Sequence, residues 1–194
     1  MTAAPTTSRP TGVAEPERVV LLDAQRRPSG TALKSEVHSA ETPLHLAFSC
    51  YVFDADGRVL LTRRALEKRT WPGVWTNTCC GHPAPGEDPY EAVERRLADE
   101  LGLVVGPLSL ALPDFAYRAV DAGGVVENEF CPVWTVTLPH PTPAPLPNDS
   151  EVMDWRWVAW DDLARAVAAT PFAFSPWSVR QVPLLHDQLA GARA

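Results

Sequence analysis

The chain has 194 residues and a formal net charge of −7, and hydrophobic residues make up 45% of it. This length is enough for one domain with its own core, and the acidic balance argues against broad nucleic-acid binding, which needs a basic surface. No apolar run approaches the roughly 20 residues that span a bilayer, and the polar, Pro- and Thr-rich residues 1–17 lack the apolar core of a signal peptide. We therefore expect a cytoplasmic protein without a membrane partner.

The N-terminal half is predicted to contain strands followed by one amphipathic helix. Apolar runs bounded by turn signals predict three strands, at residues 19–23, 44–53 and 59–62. An Asp-Gly turn joins the last two as a hairpin. Residues 90–101 predict a helix, because Pro89 suits its first turn, Gly102 suits its end and apolar residues form one stripe between them.

The C-terminal half is predicted to add strands and two further helices. The strands are expected at residues 115–120, 125–137 and 152–158. A helix over residues 161–168 is expected to be capped by its aspartates, and Ser175 is expected to cap a last helix that Pro183 kinks or shortens. The mixture predicts a single α+β domain, an α/β/α sandwich, over residues 18–190, with tails at 1–17 and 191–194.

Two segments carry residue types that are typical of a chemical site. The segment NTCCGHP at 77–83 places a thiol beside a histidine. The segment VENEFCP at 126–132 places Glu127 and Glu129 at alternate positions of a strand, so both project from one face. The four cysteines match neither a disulfide framework nor a Cys-x-x-Cys zinc site. Reduced thiols are expected, at least one of them reactive.

The spacing that begins at Gly81 resembles the Nudix box, G-x5-E-x7-R-E-U-x-E-E-x-G-U, where U is a bulky aliphatic residue. Two positions depart from it, since Arg96 and Asp99 stand where the box has glutamates. Glutamates of this box hold a divalent cation against a diphosphate, and Mg²⁺ favours carboxylates together with phosphate oxygens. Arg96 weakens a multi-metal hydrolytic site, whereas Glu100 could still hold one Mg²⁺. The alternative is a surface salt bridge between Arg96 and Glu100.

Longer runs resemble the type 1 isopentenyl-diphosphate isomerases. The matching segments are LHLAFS at 44–49, TRRA at 62–65, WPGVWTN at 71–77, CGHP at 80–83, VENEFCP at 126–132 and AFSPW at 173–177. The resemblance spans most of the predicted domain. It implies a Nudix-type α/β/α sandwich with a mixed β-sheet. It also implies the interconversion of isopentenyl and dimethylallyl diphosphate in isoprenoid biosynthesis, with a small-molecule prenyl diphosphate as substrate.

The resemblance also implies two metal positions. The first would have the ligands His38, His45, His82, Glu127 and Glu129, and mixed nitrogen and oxygen ligands suit Mn²⁺, Mg²⁺ or Zn²⁺. The second would be a diphosphate-linked Mg²⁺ at Glu100. The remaining histidines, His140 and His186, match no family position.

The implied chemistry is the protonation of an unactivated alkene to a tertiary carbocation, followed by loss of another proton. By resemblance, Cys80 and Glu129 are the two acid/base groups, Tyr117 assists proton delivery and Trp177 stabilises the cation with its aromatic face.

The diphosphate would be bound by four cations at family-like positions, Lys34, Arg64, Lys68 and Arg95, with Arg96 a weaker candidate. Two other functions stay open: a Nudix pyrophosphohydrolase, against which Arg96 and Asp99 argue, and a non-catalytic diphosphate-binding Nudix module. A monomer or weak homodimer is expected.

Overall fold

The computed structural model describes residues 16–191, so the tails expected at 1–17 and 191–194 lie outside the described residues except for residues 16, 17 and 191. The described range contains twelve strands: β1 Arg18–Leu22, β2 Pro28–Leu33, β3 His45–Leu46, β4 Phe48–Phe53, β5 Arg58–Arg64, β6 Trp75–Thr76, β7 Cys79–Gly81, β8 Ser109–Leu112, β9 Ala116–Val120, β10 Val126–Phe130, β11 Val133–Thr137 and β12 Val152–Ala159. Its α-helices are α1 Lys34–Val37, α2 Pro89–Leu101, α3 Trp160–Ala169 and α4 Pro176–Gly191. No helix in this range is both long and apolar enough to cross a membrane.

The strands form two mixed sheets. One has five strands in the order β2-β1-β3-β10-β9, and the other has seven, with β12-β5-β4-β11-β8 as its main path and β6 and β7 paired to β5 and β4. Each sheet contains one parallel pair, β3 with β10 and β4 with β11, among antiparallel neighbours. The predicted α+β class is confirmed.

Helices cover both faces of the seven-stranded sheet. Successive residues of β4 point to opposite faces, and Cys50 packs in the same apolar cluster as Leu97 of α2. The next residue, Tyr51, packs with Leu163 of α3 and Leu185 of α4 in a second cluster. This arrangement confirms the predicted α/β/α sandwich.

Two runs that were each predicted as one strand are in fact two strands, because the chain crosses from one sheet to the other. Residues 44–53 break at Ala47 between β3 and β4, and residues 125–137 break at Cys131 and Pro132 between β10 and β11. The crossings lie side by side, since Ala47 N donates to Phe130 O at 2.9 Å and Ser49 N donates to Pro132 O at 3.0 Å. This double crossing brings residues of the five-stranded sheet next to those of the seven-stranded sheet.

The helix starts were predicted with mixed success. Helix α2 has the expected start at Pro89 and ends at Gly102, whose φ of 62° is in the left-handed region that glycine tolerates. The prediction that aspartates cap α3 is wrong: Ala159 precedes the helix and no side chain caps it, so Asp161 and Asp162 lie in its first turn. There they still interact favourably with the helix dipole.

Pro183 does not shorten α4, which continues to Gly191, so that part of the prediction is wrong. A proline removes one N–H donor, but Val182 and Leu185 on either side of it are fully buried in the core and keep the helix packed there. The predicted start is correct, with Ser178 N 3.4 Å from Ser175 Oγ.

Candidate active site

A cavity of about 510 Å³ receives side chains from both sheets. Cys80 on β7 and Arg64 on β5 reach it from the seven-stranded sheet, and Tyr117 on β9 and Glu129 on β10 reach it from the five-stranded sheet. Helix α4 contributes Trp177. A cavity of this size suits a small-molecule ligand.

Three histidines and one glutamate form a compact group at the cavity. One ligand atom from each of His38, His45, His82 and Glu129 lies within 4.8 Å of the others. The parallel pairing of β3 with β10 places His45 directly beside Glu129, and their Nε2 and Oε1 atoms are 3.5 Å apart. His82, which directly follows β7, brings its Nε2 to 3.2 Å from Glu129 Oε1.

The orientation of these side chains suits a divalent cation. Nδ1 of His45 bonds to Pro43 O at 2.9 Å, which turns its Nε2 toward the group; this kind of outer contact orients metal-ligating histidines. His38 Nε2 is buried without a hydrogen-bond partner within the described range. A buried polar atom without a partner is costly, and a cation ligated by it would remove that cost. Nitrogen and carboxylate ligands of this kind suit Mn²⁺, Mg²⁺ or Zn²⁺.

Burial and mutual contact set the protonation states in this group. Burial lowers the pKa of His82 to about 4, which leaves its imidazole neutral near pH 7. Burial by itself would raise the pKa of Glu129, but the nearby imidazoles hold it well below its ordinary value. Burial by itself would lower the pKa of His45, but its contact with Glu129 raises it. The neutral imidazole of His82 and the ionised carboxylate of Glu129 are forms that ligate a metal.

Glu127 lies next to this group but outside it. Its Oε1 accepts a hydrogen bond of 2.5 Å from Thr70 Oγ1. The hydroxyl of Tyr117 lies 2.5 Å from Glu127 Oε2 and 2.9 Å from Glu129 Oε2. Both glutamates therefore project from one face of β10, as the alternate spacing predicted. Burial raises the pKa of Tyr117 well above its ordinary value, so the tyrosine is a neutral donor between two carboxyl groups.

The adjacent cysteines of β7 face opposite sides of the sheet. Cys79 is buried in the cluster that packs against α2, whereas Cys80 lines the cavity. Burial raises the pKa of Cys80 to about 12, so its sulfur carries a proton near neutral pH.

Trp177 forms an aromatic wall of the cavity. Its ring lies 5.8 Å from the ring of Tyr117 and 5.8 Å, edge-on, from that of Trp71. The guanidinium carbon of Arg64 lies 5.2 Å from the centre of the Trp177 ring. The ring thus already contacts a cation in this structure.

Three of the four cations predicted to bind the diphosphate line the cavity, namely Lys34, Arg64 and Lys68, and Arg96 lines it with them. Arg95 does not, because its guanidinium turns to Glu87, with Nε 2.7 Å from Glu87 Oε1. Glu100 is also absent from the lining and accepts a hydrogen bond from Arg96. The Arg96–Glu100 pair is buried, so the alternative of a surface salt bridge is wrong.

Several residues at this site carried no recognised sequence signal. Glu151 accepts a hydrogen bond from Lys68, and one of its oxygens lies 3.3 Å from Arg96. Thr70 contacts Glu127, and Arg69 lines the cavity. These residues come from irregular segments, where no periodic pattern indicates which way a side chain points.

The fold and the site define a NUDIX-domain protein. A family model described as the NUDIX domain matches residues 43–178, and a crystal structure of a protein from Deinococcus radiodurans shares the fold. Its TM-score is 0.66 at 18% identity, over 86% of this chain and 98% of that one.

Relatives in sequence are more specific. The isopentenyl-diphosphate Delta-isomerase of Kocuria rhizophila is 59% identical over 177 residues, which cover 90% of this chain and 96% of the relative. The protein of the same name from Frankia alni is 58% identical over 188 residues, or 95% of each chain. This chain belongs to the isopentenyl-diphosphate Delta-isomerase family.

Proposed function

We propose that this chain interconverts isopentenyl diphosphate and dimethylallyl diphosphate. The observation that carries the proposal is that a thiol and a carboxylate, Cys80 and Glu129, face one cavity from different sheets. The cavity also offers cations for a diphosphate and an aromatic wall for an isoprenoid carbon chain.

The reaction moves a double bond by adding one proton and removing another. Protonation of the terminal alkene carbon of isopentenyl diphosphate gives a tertiary carbocation. Loss of a proton from the chain methylene on the other side of the cationic carbon gives the isomer. Cys80 retains its proton because burial raises the pKa of its thiol to about 12, and the pKa of Glu129 is lowered despite its burial. The site therefore holds two acid/base groups in different protonation states, as an exchange of protons with the carbon skeleton requires.

Tyr117 and Trp177 support these two groups. The Tyr117 hydroxyl is 2.9 Å from Glu129 Oε2, close enough to assist proton transfer at that carboxylate. The face of Trp177 can stabilise the carbocation, as aromatic rings stabilise other cations. The aromatic wall also limits the access of water, which would trap the cation as an alcohol.

The metal implied by the family would be held by His38, His45, His82 and Glu129, with Glu127 as a fifth ligand. A divalent cation bound there would supply positive charge that keeps the glutamates ionised and fixed; Mn²⁺, Mg²⁺ and Zn²⁺ all suit these ligands. Glu100 remains the proposed ligand of a diphosphate-linked Mg²⁺.

The diphosphate would contact Lys34, Arg64, Lys68 and Arg96. We assign a diphosphate contact to Arg96, the weaker candidate from the sequence, in place of Arg95. Arg95 lies outside the cavity lining and pairs with Glu87. Charge-assisted bonds to phosphate are short and directional. A cytoplasmic location, a monomeric or weakly dimeric state and the absence of nucleic-acid partners stay predictions from the sequence.

The test is incubation of the purified protein with isopentenyl diphosphate and Mg²⁺ in D₂O, followed by NMR. We expect dimethylallyl diphosphate that carries deuterium, without released phosphate. Phosphate release without an allylic product would instead establish a hydrolase. Binding without any reaction would establish a diphosphate-binding module.

A further inference from the structure

The side chain of Asn77 is fully buried. It lies between Cys80, the proposed acid/base thiol, and Trp177, the proposed cation-stabilising ring. Its Nδ2 donates to two backbone carbonyls, Cys79 O at 2.7 Å and Cys50 O at 3.1 Å. Carbonyl oxygens only accept hydrogen bonds, so the amide nitrogen must face them. The orientation of the amide is thereby determined by its surroundings.

The oxygen of the same amide accepts from both functional side chains and also from Thr76 Oγ1, which lies 2.8 Å away. Asn77 Oδ1 lies 2.8 Å from Trp177 Nε1, which can only donate, and 3.0 Å from Cys80 Sγ. Because Oδ1 cannot donate, the thiol proton of Cys80 points at Asn77 in this contact. Trp177 is 100 positions away in the chain from Asn77, so the contact exists only in the folded protein.

A second hydrogen bond limits rotation of the thiol from its other side. Ser49 Oγ lies 3.5 Å from Cys80 Sγ and accepts a hydrogen bond of 2.9 Å from Gln181 Nε2. Gln181 uses one lone pair of this hydroxyl, and the Ser49 proton is free to donate either to Cys80 or to Cys131 Sγ, which lies 3.4 Å away. Cys80 thus donates toward Asn77 and can accept from Ser49.

From this geometry we infer that Asn77 is a positioning residue that holds the Cys80 thiol and the Trp177 indole in one fixed relation through a single shared oxygen. The inference rests on the proposed function for its catalytic meaning. An acid/base thiol and a cation-stabilising ring must both meet the same small carbon skeleton. An error of about 1 Å in such a placement lowers a rate about 100-fold.

The variant Asn77→Ala tests the inference against Thr78→Val as a matched control. Thr78 is equally buried in the same loop, and its hydroxyl bonds only backbone, donating to Leu60 O at 2.6 Å and accepting from Val52 N at 2.8 Å. We expect Asn77→Ala to lower kcat about 10- to 100-fold with KM nearly unchanged. Thr78→Val should lower the melting temperature but leave kcat near the wild-type value. Wild-type kcat in a folded Asn77→Ala protein would overturn the inference.

An NMR measurement tests the positioning role of Asn77 without an activity assay. It also applies if Asn77→Ala does not fold. The indole N–H signal of Trp177 in the wild-type protein should be protected from hydrogen exchange and should shift in Cys80→Ala, because both groups share Asn77 Oδ1. A signal that exchanges freely, or one that Cys80→Ala leaves unchanged, would overturn the inference. If the wild-type protein shows this coupling but does not isomerise the substrate, the proposed function fails while the structural coupling stands.

Discussion

Nε2 of His45 lies 3.2 Å from Nε2 of His82, although 37 positions separate the two residues in the chain. His45 is on β3 of one sheet and His82 follows β7 of the other, so their contact depends on how the two sheets meet. Burial lowers the pKa of His82 to about 4, so this ring offers a lone pair rather than a positive charge. Two buried imidazole nitrogens this close suit a shared cation.

Metal removal is therefore expected to destabilise the protein. A ligand that binds only the folded state, present at about 1,000 times its Kd, adds about 4 kcal/mol to the free energy of unfolding. We expect a chelator to lower the melting temperature of the wild-type protein and of His140→Gln, whose exposed side chain is outside the group. The chelator should have little effect on His82→Gln, and metal content should be measured in parallel. An identical response of all three proteins would contradict a metal site here.

Cys80→Ala is expected to abolish most of the isomerisation. Acid/base groups contribute about 10²- to 10⁴-fold to a rate, and removal of one small side chain at a cavity wall should leave folding and metal content near normal. The control is Cys79→Ala, which truncates the adjacent thiol on the opposite face of β7. Cys79→Ala should lower the free energy of unfolding but leave kcat near the wild-type value. Equal kcat in the two variants would remove Cys80 from the proposed role.

Arg96→Gln is expected to weaken diphosphate binding more than Arg95→Gln does. Arg96 lines the cavity and Arg95 pairs with Glu87 outside it. A hydrogen bond to a charged group is worth about 1.5–3 kcal/mol, or about 10- to 100-fold in Kd. Calorimetric titration with inorganic diphosphate and Mg²⁺ measures the effect. A larger loss in Arg95→Gln would return the phosphate contact to Arg95.

Glu100→Gln is expected to raise the Mg²⁺ concentration that gives half-maximal activity by about tenfold, which corresponds to 1.4 kcal/mol. The carboxylate is the proposed Mg²⁺ ligand, and the amide loses its charge. Asp99→Asn is the control, because this substitution removes the same charge from an exposed neighbour. The Asp99 carboxylate lies 3.8 Å from Arg95. Superimposable Mg²⁺ titrations for the two variants would exclude Glu100 from the site.

Diphosphate affinity is expected to fall as pH rises through about 8. Burial lowers the pKa of Lys68 to about 8, below its ordinary value of 10.5. A bound anion favours the protonated amine, so binding takes up a proton and weakens at higher pH, by at most tenfold per unit. Lys68→Arg keeps its positive charge at these pH values, so its diphosphate affinity should lack this dependence on pH. Titrations at pH 7, 8 and 9 compare the two proteins, and parallel pH profiles would contradict the prediction.

Local patterns predicted those elements whose signals lie within the element itself. Helix α2 is one case, because Pro89, Gly102 and the apolar stripe lie within or next to it. Strand β2 was missed, since its residues are mostly exposed and carry no alternating pattern. It forms by antiparallel pairing with β1. The two strand breaks were missed because an apolar run looks the same whether one sheet or two bury it.

The candidate site likewise has some features that local sequence patterns predict and others that only tertiary packing decides. The alternate spacing of Glu127 and Glu129 follows from strand geometry alone, and both side chains contact Tyr117 as a result. The choice between Arg95 and Arg96 did not follow from the motif. Neighbouring helix residues point about 100° apart, because a turn has about 3.6 residues, and only the packing of α2 decides which one faces the cavity.

The sequence by itself determined the family, the residue types of the site and the face on which the paired glutamates lie, since each depends on spacing along one segment. The tertiary structure decided which side chains meet. It joined His45 to His82, turned Arg95 away from the cavity and placed Trp177 against Asn77. The contacts of His45 with His82 and of Trp177 with Asn77 join segments far apart in the chain, so they depend on how the sheets and helices pack together.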